Sequence, residues 1–143
     1  MKTLYFVIIV CLLITGCASM SDVLRSKDEG TVQVYSVDQG KAWEIAMTVL
    51  RWENCETIEE HQKENYMLTT TGQNFVSSGT LIGIWVEKIN EGNTKVTVVT
   101  KRKVQTNIAT GLTETTFQRR FAQALEIVKA GKPLPIEPPT STN

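Results

Sequence analysis

The chain has 143 residues with 15 basic and 15 acidic side chains, so its formal net charge is zero, and 41% of its residues are apolar. This balance is typical of one globular domain and excludes a disordered or collagen-like chain. Because the charges are spread along the chain, no basic field supports nucleic-acid binding, and we expect no nucleic-acid partner.

The N-terminal segment is predicted to be a signal peptide. Lys2 precedes eleven consecutive apolar residues, 4–14, which as a helix would extend about 16 Å. A bilayer core is about 30 Å thick, so this segment is too short to span it. It has the length of a signal-peptide apolar region, and the alternative is a buried N-terminal helix or strand.

A lipidation motif follows directly. The segment ITGC at 14–17 resembles the lipobox of bacterial lipoproteins, in which an aliphatic residue and two small ones precede an obligatory cysteine. The resemblance implies that a peptidase cleaves between Gly16 and Cys17, that diacylglycerol alkylates the Cys17 thiol, and that the new amino group is acylated. Two or three acyl chains anchor a protein stably, whereas one chain does so only marginally. We therefore expect membrane attachment through a lipid anchor on Cys17.

The residue after this cysteine bears on the location of the protein. In Gram-negative lipoproteins an Asp at that position commonly signals retention at the inner membrane, and here it is Ala18. In a two-membrane cell the resemblance therefore implies an outer-membrane protein that faces the periplasm. The mature chain would carry a net charge of −1, because Lys2 is the only charged residue among the first sixteen.

Two polar segments flank the predicted domain. Residues 17–30 begin with the lipidated cysteine and lack a sustained hydrophobic periodicity, so we expect a flexible tether with a span of about 20 Å that lets the domain stand off the membrane. All four prolines lie within 133–139. Residues 132–143 are therefore predicted to be a Pro-rich disordered tail, with a partner-binding polyproline segment as the alternative. The folded domain should comprise residues 31–131.

The patterns within this domain predict the order β-α-β-β-β-β-α. One helix is expected at 41–53 after a capping box between Ser36 and Gln39, with another from Thr113 or Thr115 to Gly131. Strands are indicated by β-branched residues, alternation and polar turns at 31–37, 55–61, 66–71, 81–89 and 95–104. This order predicts an α+β domain, an antiparallel sheet of about four to five strands with both helices packed on one face.

Alternation within the sheet suggests a candidate partner surface. Ile82, Ile84 and Val86 should face the helices, which turns Trp85 to the other face of the sheet. There Trp85 would leave apolar area exposed together with Leu81, Ile89 and Val99. The first helix has an apolar face wider than one core needs, so its flank is a second candidate. The candidate surface residues are Trp85, Trp43 and Met47, with burial of the helix flank as the alternative.

The whole domain resembles a known family. Its element order, Ala42-Trp43 early in the first helix, and Phe117, Phe121 and Leu125 in the last helix are similar to the helix-grip domains of small periplasmic lipoproteins. These include BamC-type lipoproteins, accessory subunits of the outer-membrane barrel assembly machine, and uncharacterised relatives with a single such domain. The resemblance covers residues 31–131 and implies an interaction or structural role in the envelope, with one domain here where the BamC type has two.

Candidate catalytic groups are few. Cys55 is the one thiol left beside Cys17 after cleavage, and its acidic neighbours favour a small buried apolar residue over a reactive thiol or an intermolecular disulfide. A dyad of Cys55 with His61, the only histidine, is disfavoured, because six strand residues separate them by about 20 Å. No zinc-ligand spacing, nucleophile elbow or phosphate-binding glycine loop occurs. We predict no enzymatic activity, no metal and no cofactor.

Lys101, Arg102 and Lys103, with Arg119 and Arg120, form the basic concentration of the chain. They predict either an ordinary solvated surface or contact with anionic lipid headgroups. The function that we predict is a membrane-anchored, non-enzymatic protein-interaction or structural module of the envelope with a protein partner. The alternative is a lipid- or glycan-binding sensor or carrier with a pocket between the last helix and the sheet.

Overall fold

The computed structural model describes residues 17–55, 57–73, 78–103 and 112–140. Within them the helices are α1 (Met20–Arg25), α2 (Gln39–Trp52) and α3 (Glu114–Lys129), with 3-10 turns at Lys27–Glu29 and Gln62–Glu64. The strands are β1 (Thr31–Tyr35), β2 (Ile58–His61), β3 (Tyr66–Gln73), β4 (Ser78–Asn90) and β5 (Asn93–Arg102). The predicted α+β class and the order of elements over residues 31–131 are confirmed, and α1 precedes them.

The five strands form one antiparallel sheet in the order β1-β5-β4-β3-β2. Strand β5 lies between β1 and β4. Its residue Val98 pairs with Thr31 of β1 on one side and with Ile84 of β4 on the other. Gly92 turns the β4–β5 hairpin at φ 88°, a backbone conformation that glycine adopts without strain. β1 and β2 are therefore the two edge strands of the sheet.

Helices α2 and α3 cover one face of the sheet, as predicted. Ile82, Ile84 and Val86 of β4 point to this face, and all three are fully buried. The helices contribute the other side of the same core, chiefly Ile45, Val49, Leu50, Phe117, Phe121 and Leu125. The 3.6-residue period of the helices and the two-residue period of the strands therefore bring their apolar faces together.

The start of α2 differs from the prediction. Asp38 is the N-cap, and its carboxylate accepts a hydrogen bond of 2.9 Å from the backbone N–H of Lys41. The predicted capping box of Ser36 with Gln39 is wrong, because Gln39 is already helical and its side-chain amide donates to the Asn65 side chain and to the Val86 carbonyl. For α3 the predicted Thr113 cap is confirmed, since its hydroxyl accepts from the N–H of Thr116.

The prediction of a flexible tether over residues 17–30 is wrong for the structured part of that segment. Residues 20–25 form α1, which lies on the sheet face opposite α2 and α3. Val23 of α1 is fully buried in a second apolar cluster with Leu68, Leu81, Trp85 and Val99. Because burial of this one side chain has no periodic pattern in the sequence, hydrophobic periodicity did not reveal it.

The Pro-rich segment after α3 is also more ordered than predicted. Residues 132–140 are irregular, yet Leu134 packs against the main core. The Trp52 indole N–H donates to the Pro135 carbonyl at 3.0 Å, and the Arg120 guanidinium donates to the Pro139 carbonyl at 3.0 Å. Prolines keep their carbonyl acceptors although they lack an N–H, so an extended proline segment can still be held by donors on neighbouring helices.

Candidate functional site

Cys17 is the first residue that the structure describes. Its side chain is exposed, and the next residue is already part of the fold, since the Ala18 N–H donates to the Lys103 carbonyl at 3.2 Å. Ala18 also packs against the second apolar cluster. The predicted lipidation residue is therefore adjacent to the end of β5, with no intervening flexible chain.

The first turn of α1 is held by local hydrogen bonds. The backbone N–H and the hydroxyl of Ser19 both donate to the Asp22 carboxylate, at 2.7 and 2.8 Å. Arg25 forms an ion pair with the same carboxylate at 2.7 Å. The Ser19 backbone bond, then the Ser19 hydroxyl, and then Arg25 hold the pKa of Asp22 below its usual value. The acidic residue therefore stays charged near the positive N-terminal end of the helix, where a carboxylate is stabilising.

A glycine makes the close approach of α1 to the sheet feasible. A Cβ atom on Gly83 would lie 2.6 Å from a methyl carbon of Val23 and 2.9 Å from the Trp85 ring. Any side chain at Gly83 would therefore push α1 outward or displace the indole. The signal in the sequence is an isolated glycine within an apolar strand, which often marks such an approach.

The proposed exposure of Trp85 is wrong. Trp85 points away from α2 and α3 as predicted, but α1 covers it, and only 4% of its surface is exposed. Leu81 and Val99, predicted to share the open patch, are buried in the same cluster, whereas Ile89 is exposed as predicted. Trp85 is therefore a core residue of the second layer.

Charged residues complete the cover over Trp85. The Lys27 ammonium lies 5.8 Å from the centre of the indole ring and 2.7 Å from the Glu87 carboxylate. Lys95 approaches the other oxygen of Glu87 at 3.0 Å. Burial opposes ionisation of Glu87, but the two lysines outweigh it and lower its pKa. Sequence reasoning missed this network, because residues 27, 87 and 95 meet only in the folded chain.

The flank of α2 is partly buried. Trp43 and Met47 pack against the main core, and the Trp43 indole N–H donates to the Glu60 carboxylate at 2.8 Å. This bond is the first cause of the lowered pKa of Glu60. Trp43 and Met47 are therefore partly buried against the core and partly exposed, and their role in a partner surface stays a prediction.

Exposed apolar side chains lie instead on β1, an edge strand of the sheet. Val32 and Val34 of β1 are 48% and 55% exposed. They alternate with Thr31 and Tyr35, which contact α3 through Glu114 and Phe121. At the opposite edge of the sheet, β2 is short and carries acidic side chains, a pattern that discourages pairing with a strand of another molecule.

The end of the sheet beside Cys17 is basic. We define the basic end as Cys17, Ala18, Lys101, Arg102 and Lys103, which together with Asp22 and Thr100 line an open groove of about 750 Å³. Lys101 forms an ion pair with Glu29 at 3.0 Å, and this bond lowers the pKa of Glu29. Lys101, Arg102 and Lys103 of the predicted basic cluster thus share one surface with the predicted lipidation residue. Arg119 and Arg120 lie on α3 and do not line this groove, and Arg120 forms an ion pair with Glu53 at 3.4 Å.

The two candidate catalytic groups lie on opposite sides of the sheet. Cys55 is 1% exposed in the main core, and burial raises the pKa of its thiol. His61 stacks on Tyr66 at 4.4 Å between ring centres, and Tyr66 packs against the second cluster. The prediction that Cys55 is a small buried apolar residue is confirmed.

Within residues 17–55, 57–73, 78–103 and 112–140, no three His, Cys, Asp or Glu side chains come together as metal ligands. No helix in this described part of the chain is both long enough and apolar enough to cross a membrane.

No protein-family model matches the sequence, and no curated protein matches it significantly.

Proposed function

We propose that the chain is an outer-membrane lipoprotein of a two-membrane cell, anchored through acyl chains on Cys17. Its α+β domain, facing the periplasm, acts as a non-enzymatic protein-interaction or structural module. The observation that carries the proposal is the lipobox-like segment ITGC at 14–17. It is followed directly by Ala18, whose N–H donates to the Lys103 carbonyl. An exposed thiol at that place is accessible to the lipidating enzyme.

The packing between helix and sheet favours a binding surface over an internal ligand site. The carrier alternative needs a pocket between α3 and the sheet. In that space Phe117, Phe121 and Val98 are fully buried and belong to one continuous core. A ligand there would have to displace these side chains, which costs the free energy of their burial.

Lipidation is tested by expressing the full chain in a Gram-negative host and measuring the intact mass of the membrane-fraction protein. The wild type should carry diacylglycerol and an acyl chain and fractionate with the outer membrane, whereas Cys17→Ala should lose the lipid mass. Cys11→Leu, which changes the signal segment but keeps its apolar character, serves as the matched control and should remain lipidated. An unlipidated wild type would overturn the proposal.

The interaction role is tested by placing a photo-crosslinking residue at Val34 in the same cells. An edge strand can bind a partner by backbone pairing, and Val34 presents an exposed apolar side chain on the edge strand β1. Glu59, on the other edge strand β2, is the matched control position. We expect a discrete crosslinked protein at Val34 that is absent at Glu59, while equal or absent crosslinking at both positions would contradict this placement.

A further inference from the structure

The link between the lipid anchor and the domain is too short to let the domain move away from the bilayer. Ala18 is hydrogen-bonded to Lys103, and Val23 of α1 is fully buried against the sheet. One residue of chain spans at most about 3.6 Å. A lipid on Cys17 therefore holds the end of β5 at the membrane surface.

The surface brought to the membrane in this way is cationic. Three basic residues of the basic end, 101–103, line the groove together with Asp22, and the carboxylate of Asp22 forms an ion pair with Arg25. The carboxylates facing them are Asp22, which is bonded to Ser19 and Arg25, and Glu29, which pairs with Lys101. Four positive groups thus meet two negative ones, in a mature chain whose predicted overall charge is −1. The charge asymmetry is directed toward the anchor.

We propose that the basic end rests on the bilayer that holds the Cys17 lipid, with Lys101 and Lys103 contacting the phosphates of anionic phospholipid headgroups. This inference rests on the proposed lipidation of Cys17. Basic residues next to a membrane anchor are attracted by anionic lipids, and the attraction falls within a Debye length of the surface. The occupant of the groove beside Cys17 is then the headgroup layer.

The proposal also sets the orientation of the domain. The β4–β5 hairpin turn lies at the other end of β5 from Lys101, about 30 Å away for nine or ten strand residues. Lys88, exposed beside that turn, therefore points away from the bilayer. The two ends of one hairpin thus supply a membrane-facing probe and a remote probe.

The test uses the full lipidated protein in two kinds of vesicle, one of phosphatidylcholine alone and one with added phosphatidylglycerol. Lysines are labelled with a membrane-impermeant amine reagent, and the label at each position is read by mass spectrometry. We expect Lys101 and Lys103 to be protected in the anionic vesicles, with protection lost in high salt, while Lys88 labels equally in both. Equal labelling of Lys101 and Lys103 in the two vesicles would overturn the proposal.

Two matched variants separate charge from fold. Lys101→Gln should weaken the protection of Lys103 in the anionic vesicles, with the headgroup association falling about fivefold for one lost charge. Lys88→Gln should leave the protection of Lys103 unchanged. If both variants behave like the wild type, the headgroup contact is wrong. Failure of the proposed function is distinguishable, because an unlipidated protein would not be retained on either vesicle.

Discussion

Individual residues decide how closely the N-terminal segment packs on the sheet. Gly83 lacks the Cβ that would meet Val23 and the Trp85 ring, and Glu87 forms ion pairs with Lys95 and with Lys27, whose ammonium lies over the indole. One position acts through the absence of a side chain and the other through its charge. For each of the two positions, a substitution should change the free energy of unfolding in a direction that can be predicted.

Gly83→Ala should lower the free energy of unfolding by about 1–3 kcal/mol, because the added methyl group overpacks the contact with Val23. In the double variant Gly83→Ala with Val23→Ala, the smaller residue in α1 leaves room for that methyl group. We expect the double variant to be more stable than the sum of the two single changes predicts. Urea unfolding of the four proteins measures this coupling, and simple additivity would contradict the packing argument.

Glu87 should make stability depend on pH in the acidic range. Its folded pKa is lowered from 4.5, so the stabilisation is present above the unfolded pKa and is lost as the pH falls through the folded pKa. The free energy of unfolding should therefore fall less between pH 6 and pH 3 in Glu87→Gln than in the wild type. The matched control is Glu126→Gln, on the exposed side of α3. It should keep the wild-type pH dependence, and the same slope in both variants would exclude Glu87 as the source.

Among the helices and strands, α1 is short but buries a large apolar area of the sheet. Six residues cover Trp85, Leu81 and Val99, which would otherwise form an exposed apolar patch. A helix this short is unstable alone, so its conformation depends on the burial of Val23 and on the hydrogen bonds of Ser19. The stability of α1 is therefore tertiary in origin.

Val23→Asp should release α1 from the sheet. Burying an unpaired carboxylate costs more free energy than losing the contacts of α1 with the sheet. Leu24→Asp places the same charge one residue later, where the side chain is 37% exposed, and should change stability by less than about 0.5 kcal/mol. The measurement is acrylamide quenching of Trp85 emission, with Trp43 and Trp52 replaced by Phe. Strong quenching only in Val23→Asp is the expected result, while equal quenching in both would show that α1 does not shield Trp85.

At the scale of the whole molecule, one sheet serves two apolar clusters. Ile84 and Val98 face α2 and α3, while their neighbours Trp85 and Val99 face α1. The central strands β4 and β5 are thus packed on both faces. By contrast, α1 is attached through a single fully buried residue. Local stability should therefore decrease from the central strands to α1.

Native-state hydrogen exchange can measure this gradient. The amides of Ile84 and Val98 should exchange only through global unfolding, whereas those of α1 should exchange at a lower free energy. Exchange rates at increasing urea give the free energy for each amide. Equal values in α1 and β4 would mean that α1 belongs to the same cooperative unit as the central strands.

Features that depend on a local pattern of residues could be predicted from the amino-acid sequence. The alternation of Ile82, Ile84 and Val86, the spacing of Phe117, Phe121 and Leu125, and the Thr113 cap predicted the elements, their order and the face of the main core. These features were readable because each repeats at the period of its own strand or helix. The resemblance of residues 14–17 to a lipobox was visible for a similar reason, since these residues are contiguous.

The exposure of each surface, by contrast, depends on contacts that form when the chain folds. The burial of Trp85 depends on contacts with α1, whose Val23 lies sixty-two positions earlier, and residues 132–140 accept hydrogen bonds from Trp52 and Arg120. Such contacts join single residues far apart in sequence and leave no periodic signal. The nearness of Cys17 to residues 101–103 has the same origin, because it arises when α1 docks on the sheet.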